Sequence, residues 1–246
     1  MKIEICVEGI DDAIAAEQGG ADRVELCASL LEGGITPSDG TISETKARLS
    51  IPIHVILRPR GGDFLYSPAE FATMLKDIAR LRELGVTGVV IGCLLPDGTV
   101  DEARTTALVA AARPLSVTFH RAFDVTADPE TALEALIRCG VDRVLTSGQQ
   151  PDGVAGIPLL ARLHRQAAGR IITMGCGALT AATIGRVRRE TGLEELHFSA
   201  LTERASGMAY RRESIAMGSA GTEREYRQNR TDAALVAKTI AAARAA

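Results

Sequence analysis

The chain has 246 residues, 46% hydrophobic and 24% charged, a composition that fills a large globular core and argues against disorder. Its formal net charge is -3 and its basic residues are scattered, so the cationic footprint of a nucleic-acid binder is missing and no nucleic-acid partner is expected. Residues 1–7 are too short an apolar stretch for a secretory signal, and no uncharged run of roughly 18 residues exists to cross a bilayer. The expectation is a cytoplasmic protein with no membrane partner. Five widely spaced cysteines do not describe a disulfide framework, and the absence of CxxC or HxxxH pairs gives a closed zinc site no local support.

Short β-branched runs alternate with helical patterns along the chain. They fall at residues 3–7, 23–27, 53–57, 88–92, 116–120, 143–147, 171–175 and 196–200, the signal of βαβ units and a parallel sheet. Helix starts are punctuated between them. Ser67, Pro68 and Glu70 form a capping box with proline at the first helical position, Asp128 and Pro129 repeat the cap and proline, and Thr180 and Asp232 are further candidate caps.

Gly20-Ala-Asp-Arg-Val and Gly140-Val-Asp-Arg-Val introduce the second and sixth runs, with looser copies before the fourth and eighth, so every second unit starts alike. The predicted fold is α/β, a single (β/α)8 TIM barrel over residues 1–246. An open doubly wound sheet is the competitor, but residues 5–12 lack the glycine-rich phosphate turn it needs after its first strand.

Strand alternation puts Cys6 and Glu8 on one face, and likewise Glu25 and Cys27, Arg58 and Arg60, Thr118 and His120. The opposite faces (Ile5, Val7, Val24, Leu26, Val55, Leu57, Val117, Phe119) are apolar and suit surrounding helices. The interior is therefore predicted to hold Glu25, Arg58 and His120, joined by Glu4 and His197, a costly arrangement unless the charges pair. Glu25 with Arg58 as a barrel-plugging ion pair is the structural alternative to a working site.

The segment at residues 58–68 joins Arg58, Arg60, two glycines and Asp63, which suits a loop closing over an anionic ligand; a glycine-hinged surface loop is the other reading. Ser147, Gly148, Gly175, Gly177 and Ser199 at the ends of strands six to eight leave backbone N–H groups open to an anion. His120, Arg121 and Asp124 offer an imidazole, a cation and a carboxylate for acid–base work, although a lone histidine often only satisfies a core hydrogen bond. Cys6 and Cys27 end neighbouring strands, where paired thiolates would select Cu(I), or each is simply a small buried hydrophobe. Cys176 could add a third sulfur; Cys93 and Cys139 read as structural.

The segments IEICVEG, GGADRVELCASLLEGGITPS, RPRGGDFLYS, VTFHRAFD, RVLTSG, SGMAYR and AMG resemble the CutC copper-homeostasis proteins over nearly the whole chain. The resemblance implies a cytoplasmic barrel that self-associates as a dimer or tetramer, handles copper, and binds it through thiols at the positions of Cys6 and Cys27. In relatives the turn after strand seven is a purer glycine run where this chain has MGCGAL, so no copper role passes to Cys176.

Three functions stay open at this point. One is Cu(I) binding by Cys6 and Cys27. The second is a barrel enzyme acting on a small anionic or phosphorylated molecule, with Glu25, His120 or Asp124 in acid–base roles and Arg58, Arg60, Asp63, Arg121, Ser147, Gly148, Gly175, Gly177 and Ser199 around the substrate. The third is an assembly scaffold, disfavoured by an aromatic content of 3%.

Overall fold

The computed structural model describes residues 1–217 and 221–246; Gly218 of the AMG segment lies outside the described residues. Eight parallel strands close in sequence order: β1 (Lys2–Glu8), β2 (Arg23–Cys27), β3 (Ile53–Ile56), β4 (Gly88–Ile91), β5 (Ser116–Phe119), β6 (Arg143–Thr146), β7 (Ile172–Gly175) and β8 (Glu195–Phe198). β8 pairs back onto β1, with Glu4 opposite His197. Every predicted run coincides with one of these strands, the ends differing by a residue or two, and the open-sheet alternative is excluded. Around the barrel lie α1 (Ile10–Gln18), α2 (Asp39–Arg48), α3 (Pro68–Leu84), α4 (Glu102–Ala112), α5 (Pro129–Arg138), α6 (Ile157–Ala167), α7 (Ile184–Thr191) and α8 (Ala233–Arg244).

The predicted capping box at Ser67 and Glu70 is present in both directions, and Asp128 and Asp232 accept the N–H groups of Thr131 and Leu235. Thr180 is a correction. α7 starts later, at Ile184, because the Thr183 hydroxyl accepts the Thr180 N–H at 3.0 Å and closes a separate turn before the helix. The long connection after β8 contains an unforeseen antiparallel hairpin, β9 (Leu201–Ala205) with β10 (Arg227–Thr231). Its sequences, LTERA and RQNRT, have no apolar alternation because most of the hairpin's side chains are exposed.

Inside and outside separate along each strand. Ile5, Val7, Val24, Leu26, Val55, Leu57, Val117 and Phe119 are fully buried in the main core under the helices. The inward positions form two small apolar groups, Cys27 with Ile56 and Val90, and Leu145 with Met174 and Cys176, set among buried charges. β4 makes room for its neighbours: a Cβ on Gly88 would run into the His54 ring, and one on Gly92 into the His120 ring.

The Asp-Arg-Val repeat has a physical cause. Asp22 accepts the Ile3 N–H at 2.8 Å and Asp142 accepts the Val117 N–H at 2.7 Å, so each aspartate ties its strand to the start of the preceding one. The following arginines point inward from β2 and β6, and both reach Glu195: Arg23 Nη2 at 2.8 Å and Arg143 Nε at 2.6 Å from the same carboxylate oxygen. Arg23 Nε also donates to Glu4. All four side chains are nearly inaccessible, so each charge is paired where an unpaired one would cost several kcal/mol.

Removing Glu195 strips Arg143 of its carboxylate. Glu195→Leu should lower the unfolding free energy by about 3–5 kcal/mol in a urea titration, and Arg143→Met added to it should recover part of the loss. A change below about 1 kcal/mol would show that the floor is not held by this network.

Candidate functional site

The C-terminal ends of the strands enclose a cavity of about 400 Å³. Its floor is made by Cys6, Glu25 and His197, and its walls include Ile56, Arg58, Phe64, His120, Arg121, Cys176, Gly177, Ala178 and Ser199. β1 and β2 present the floor groups because Cys6 lies opposite Glu25 in the sheet register. Cys27, two residues further along β2, turns back so that its sulfur lies 3.8 Å from that of Cys6. One donor atom from each of Cys6, Glu25 and Cys27 falls within 4.8 Å of the others.

His197 links this floor to the charges below. Its Nδ1 is 2.8 Å from Glu4 Oε1 and its Nε2 is 3.8 Å from Glu25 Oε2. Burial opposes a charged imidazole here, but contacts with Cys6 and Glu4 and the charges of Glu25 and Glu4 overcome it and hold His197 above the usual histidine range. The thiol of Cys6 is lowered to about 5 by the hydrogen bond from Cys27, with His197 contributing against the cost of burial. Cys27 is pushed up by that same bond, and Glu25 is pushed up by burial and by the negative charge on Cys6. The floor thus holds a Cys6 thiol that ionises below neutrality beside a Cys27 thiol, a Glu25 carboxyl and a His197 imidazole that are all shifted toward their protonated forms.

The predicted site residues divide into two sets. Cys6, Glu25, Arg58, His120, Arg121, Gly177 and Ser199 line the cavity, with Cys27 just behind it. The proposed Glu25–Arg58 ion pair does not form: Arg58 donates to the carbonyls of Glu32, Gly34 and Gly62 and lies over the Phe64 ring at 5.2 Å. Arg60 and Asp63 lie outside the cavity, paired at 3.0 Å, with Arg60 also 2.7 Å from Glu70; their chemistry staples the loop to α3. Asp124 is withdrawn as well, accepting from Thr146 Oγ1, the backbone N–H groups of Ser147 and Gln149, Ser147 Oγ and Arg121 Nε. Ser147 and Gly148 belong to this Asp124 knot, and Gly175 faces Leu193 and Leu196 behind the strand.

His120 is neutral, lowered to about 3 by burial and by the Arg58 charge. Its Nδ1 accepts the Ala122 N–H at 3.1 Å, which places the ring proton on Nε2. His54, given no role from the sequence, faces inward with Nδ1 3.7 Å from Glu4 and is lowered to about 4, mainly by burial. Arg23, Arg143 and Glu195 were also missed as interior groups. The repeated Asp-Arg-Val was the available signal, since the alternation that places Glu25 inward does the same for Arg23.

Fold and site together define a (β/α)8 barrel with a thiol–carboxylate pocket at its mouth. The chain belongs to the CutC family, whose model matches residues 1–202. It is 60% identical over 243 residues to a CutC family protein of Mesorhizobium japonicum, covering 99% of this chain and 94% of that one. It is 46% identical over 230 residues to the human copper homeostasis protein cutC homolog, covering 94% of this chain and 84% of that one. The crystal structure of a CutC protein from Streptococcus agalactiae superposes with a TM-score of 0.77 at 33% identity, over 80% of this chain and 98% of the other. Phosphoribosylanthranilate isomerase from Thermotoga maritima, at a TM-score of 0.60 and 13% identity over the full length of both chains, shares the fold alone.

Cys6 should be the one fast-reacting thiol near neutral pH, because Cys27, Cys93, Cys139 and Cys176 are all shifted upward. Its iodoacetamide alkylation rate should stay level from neutrality down and drop as pH falls through about 5. A rate that keeps climbing between pH 7 and 9, or one retained in Cys6→Ser, contradicts this assignment.

Proposed function

We propose that this CutC homologue is a cytoplasmic copper-homeostasis protein that takes Cu(I) as cargo between Cys6 and Cys27. The observation that carries the reading is the sulfur pair at 3.8 Å, one member already a thiolate, because soft thiolates select Cu(I) and a metal-bound thiol is deprotonated. The donor set fits. The cysteines are offset by two residues on adjacent strands, which sets their Cα atoms roughly 8 Å apart, beyond the span of about 6.8 Å that a disulfide bridges without backbone movement. An ion reaches both sulfurs where a disulfide does not. Glu25, shifted toward its protonated form by burial, is a weaker third donor, and Cys176, buried with its thiol pushed up, keeps no role in binding.

The cytoplasmic assignment is supported by five cysteines that are all free, and no helix among the described residues is long and apolar enough to cross a membrane. Self-association as a dimer or tetramer is part of the same reading. Its support is the group of exposed large apolar side chains beyond β9, Met208, Tyr210, Ile215 and Met217, residue types that an interface covers.

A second reading, an enzyme acting on a small anionic molecule, is favoured by one observation: the cavity is far larger than an ion needs, and Glu25 on its floor is a buried acid shifted toward neutrality. Of the candidate acid–base residues Glu25 alone suits the role, since Asp124 is saturated with donors and His120 stays neutral with Nδ1 engaged.

In competition with a colorimetric Cu(I) chelator, the reduced wild-type protein should retain one equivalent of copper. Cys6→Ser and Cys27→Ser should each weaken retention by at least about 100-fold, beyond what an outer-shell change costs. Retention should also fall as pH drops through about 5, where protons reclaim Cys6. Unchanged affinity in either variant removes the thiol pair from the account.

A further inference from the structure

The wall of the cavity opposite Arg58 has a chemistry that Cu(I) does not use. Gly177 and Ala178 both have positive φ, 99° and 48°, and alanine in that region marks backbone held in place by its surroundings at some cost. Gly177 cannot be replaced cheaply, since a Cβ there would sit 2.7 Å from the Gly153 nitrogen and 2.9 Å from the Ser147 side chain. Among the described residues, the backbone N–H groups of Gly177, Ala178 and Ser199 donate to no other protein atom. All three residues line the cavity.

Arg121 stands beside them, half-exposed. Its Nε and Nη2 are engaged by Asp124 at 2.7 Å and Ser147 Oγ at 3.0 Å, and Nη1 has no partner among the described residues, so the guanidinium is fixed with one donor pair outstanding. Asp124 is occupied by four further donors, which makes it an anchor for Arg121 more than a counter-charge to it. Across the cavity, Arg58 has only carbonyls as partners, and the His120 Nε2, which carries the ring proton, is buried without an acceptor. A buried donor without a partner is costly, and a ligand acceptor at His120 Nε2 would relieve it.

We propose that the loops after β7 and β8 form a receptor for the phosphoryl group of a small phosphorylated molecule, held by the N–H groups of Gly177, Ala178 and Ser199 and by Arg121 Nη1, with the body of the ligand extending toward Arg58, Phe64 and His120. Barrels of this kind commonly seat phosphate against the loops following strands seven and eight. Backbone N–H groups with a guanidinium suit a tetrahedral dianion, which accepts from several directions at once. The ligand lies above the Cys6–Cys27 pair, so the two sites share one mouth. This rests on the enzyme reading only in naming the group its substrate would carry, and it stands independently of Cu(I) binding.

The test is a titration of 15N-labelled full-length protein, followed by amide chemical shifts, with inorganic phosphate in one arm and acetate in the other. Phosphate should shift Gly177, Ala178 and Ser199 saturably and bind more tightly than acetate. Ser199→Asp, which places a carboxylate at the exposed rim without touching the Asp124 knot, and Arg121→Gln should each weaken phosphate by about tenfold or more. Cys27→Ala should bind phosphate as the wild type does, so that loss of the copper site and loss of the anion site are read separately. Shifts that do not saturate, equal affinity in Ser199→Asp and Arg121→Gln, or tighter binding of acetate would overturn the proposal.

Discussion

The paired charges across the floor of the barrel set the chemistry of its mouth. Arg23 and Arg143 converge on Glu195, and Arg23 also holds Glu4. Burial alone would push Glu4 up, but His197 and Arg23 keep it ionised. An ionised Glu4 grips His197 Nδ1, which directs Nε2 toward Glu25 and the Cys6 sulfur. The imidazolium then contributes to the depressed Cys6 thiol, and the Cys6 charge raises Glu25. A soft, charged sulfur inside a protein interior is otherwise unstable; the bond from Cys27 lowers the thiol most, and His197, held by pairings that begin a full layer below, adds to it.

Much of this was legible in the sequence, for a simple reason. Barrel strands alternate between a helix-facing apolar side and an inward side, so IEICV and RVELC announce both their burial and their polar interior. The half-barrel repeat was visible too, although its meaning, aspartates tying adjacent strands and arginines meeting at Glu195, needs the closure of the ring that brings residues 23, 143 and 195 together. Loop chemistry was less legible. Arg58, Arg60 and Asp63 looked like ligand-binding groups because guanidinium and carboxylate next to a strand end have the same composition whether they face a ligand or staple a loop. In the fold, Arg60 finds Asp63 and Glu70 outside the cavity, whereas Arg58 lines the cavity while three carbonyls hold it in place. The hairpin of β9 and β10 gave no signal because strands exposed on both faces need no apolar alternation.

The pocket combines features that a simple two-thiol carrier does not require: about 400 Å³ of space, a buried acid shifted up by its surroundings, a neutral histidine with one outstanding donor, and three lining residues whose backbone N–H groups have no partner among the described residues. Membership in the CutC family ties the chain to relatives named for copper homeostasis, and the sulfur pair gives that connection a physical place. The proposed phosphoryl receptor draws on the remaining groups, Arg121 and the Gly177, Ala178 and Ser199 N–H groups. Both fit one cavity because the thiols occupy the β1–β2 side of its floor and the open N–H groups the β7–β8 side of its wall.

The proposed Cu(I) site joins two cysteines from adjacent strands into a single soft-metal centre. The most direct test is a crystal of the reduced protein loaded with Cu(I), measured on both sides of the copper absorption edge. One anomalous peak should appear within bonding reach of both Cys6 and Cys27 sulfurs, with Glu25 alongside. A peak at Cys93, Cys139 or the exposed methionines beyond β9, with the Cys6–Cys27 pair empty, would contradict it.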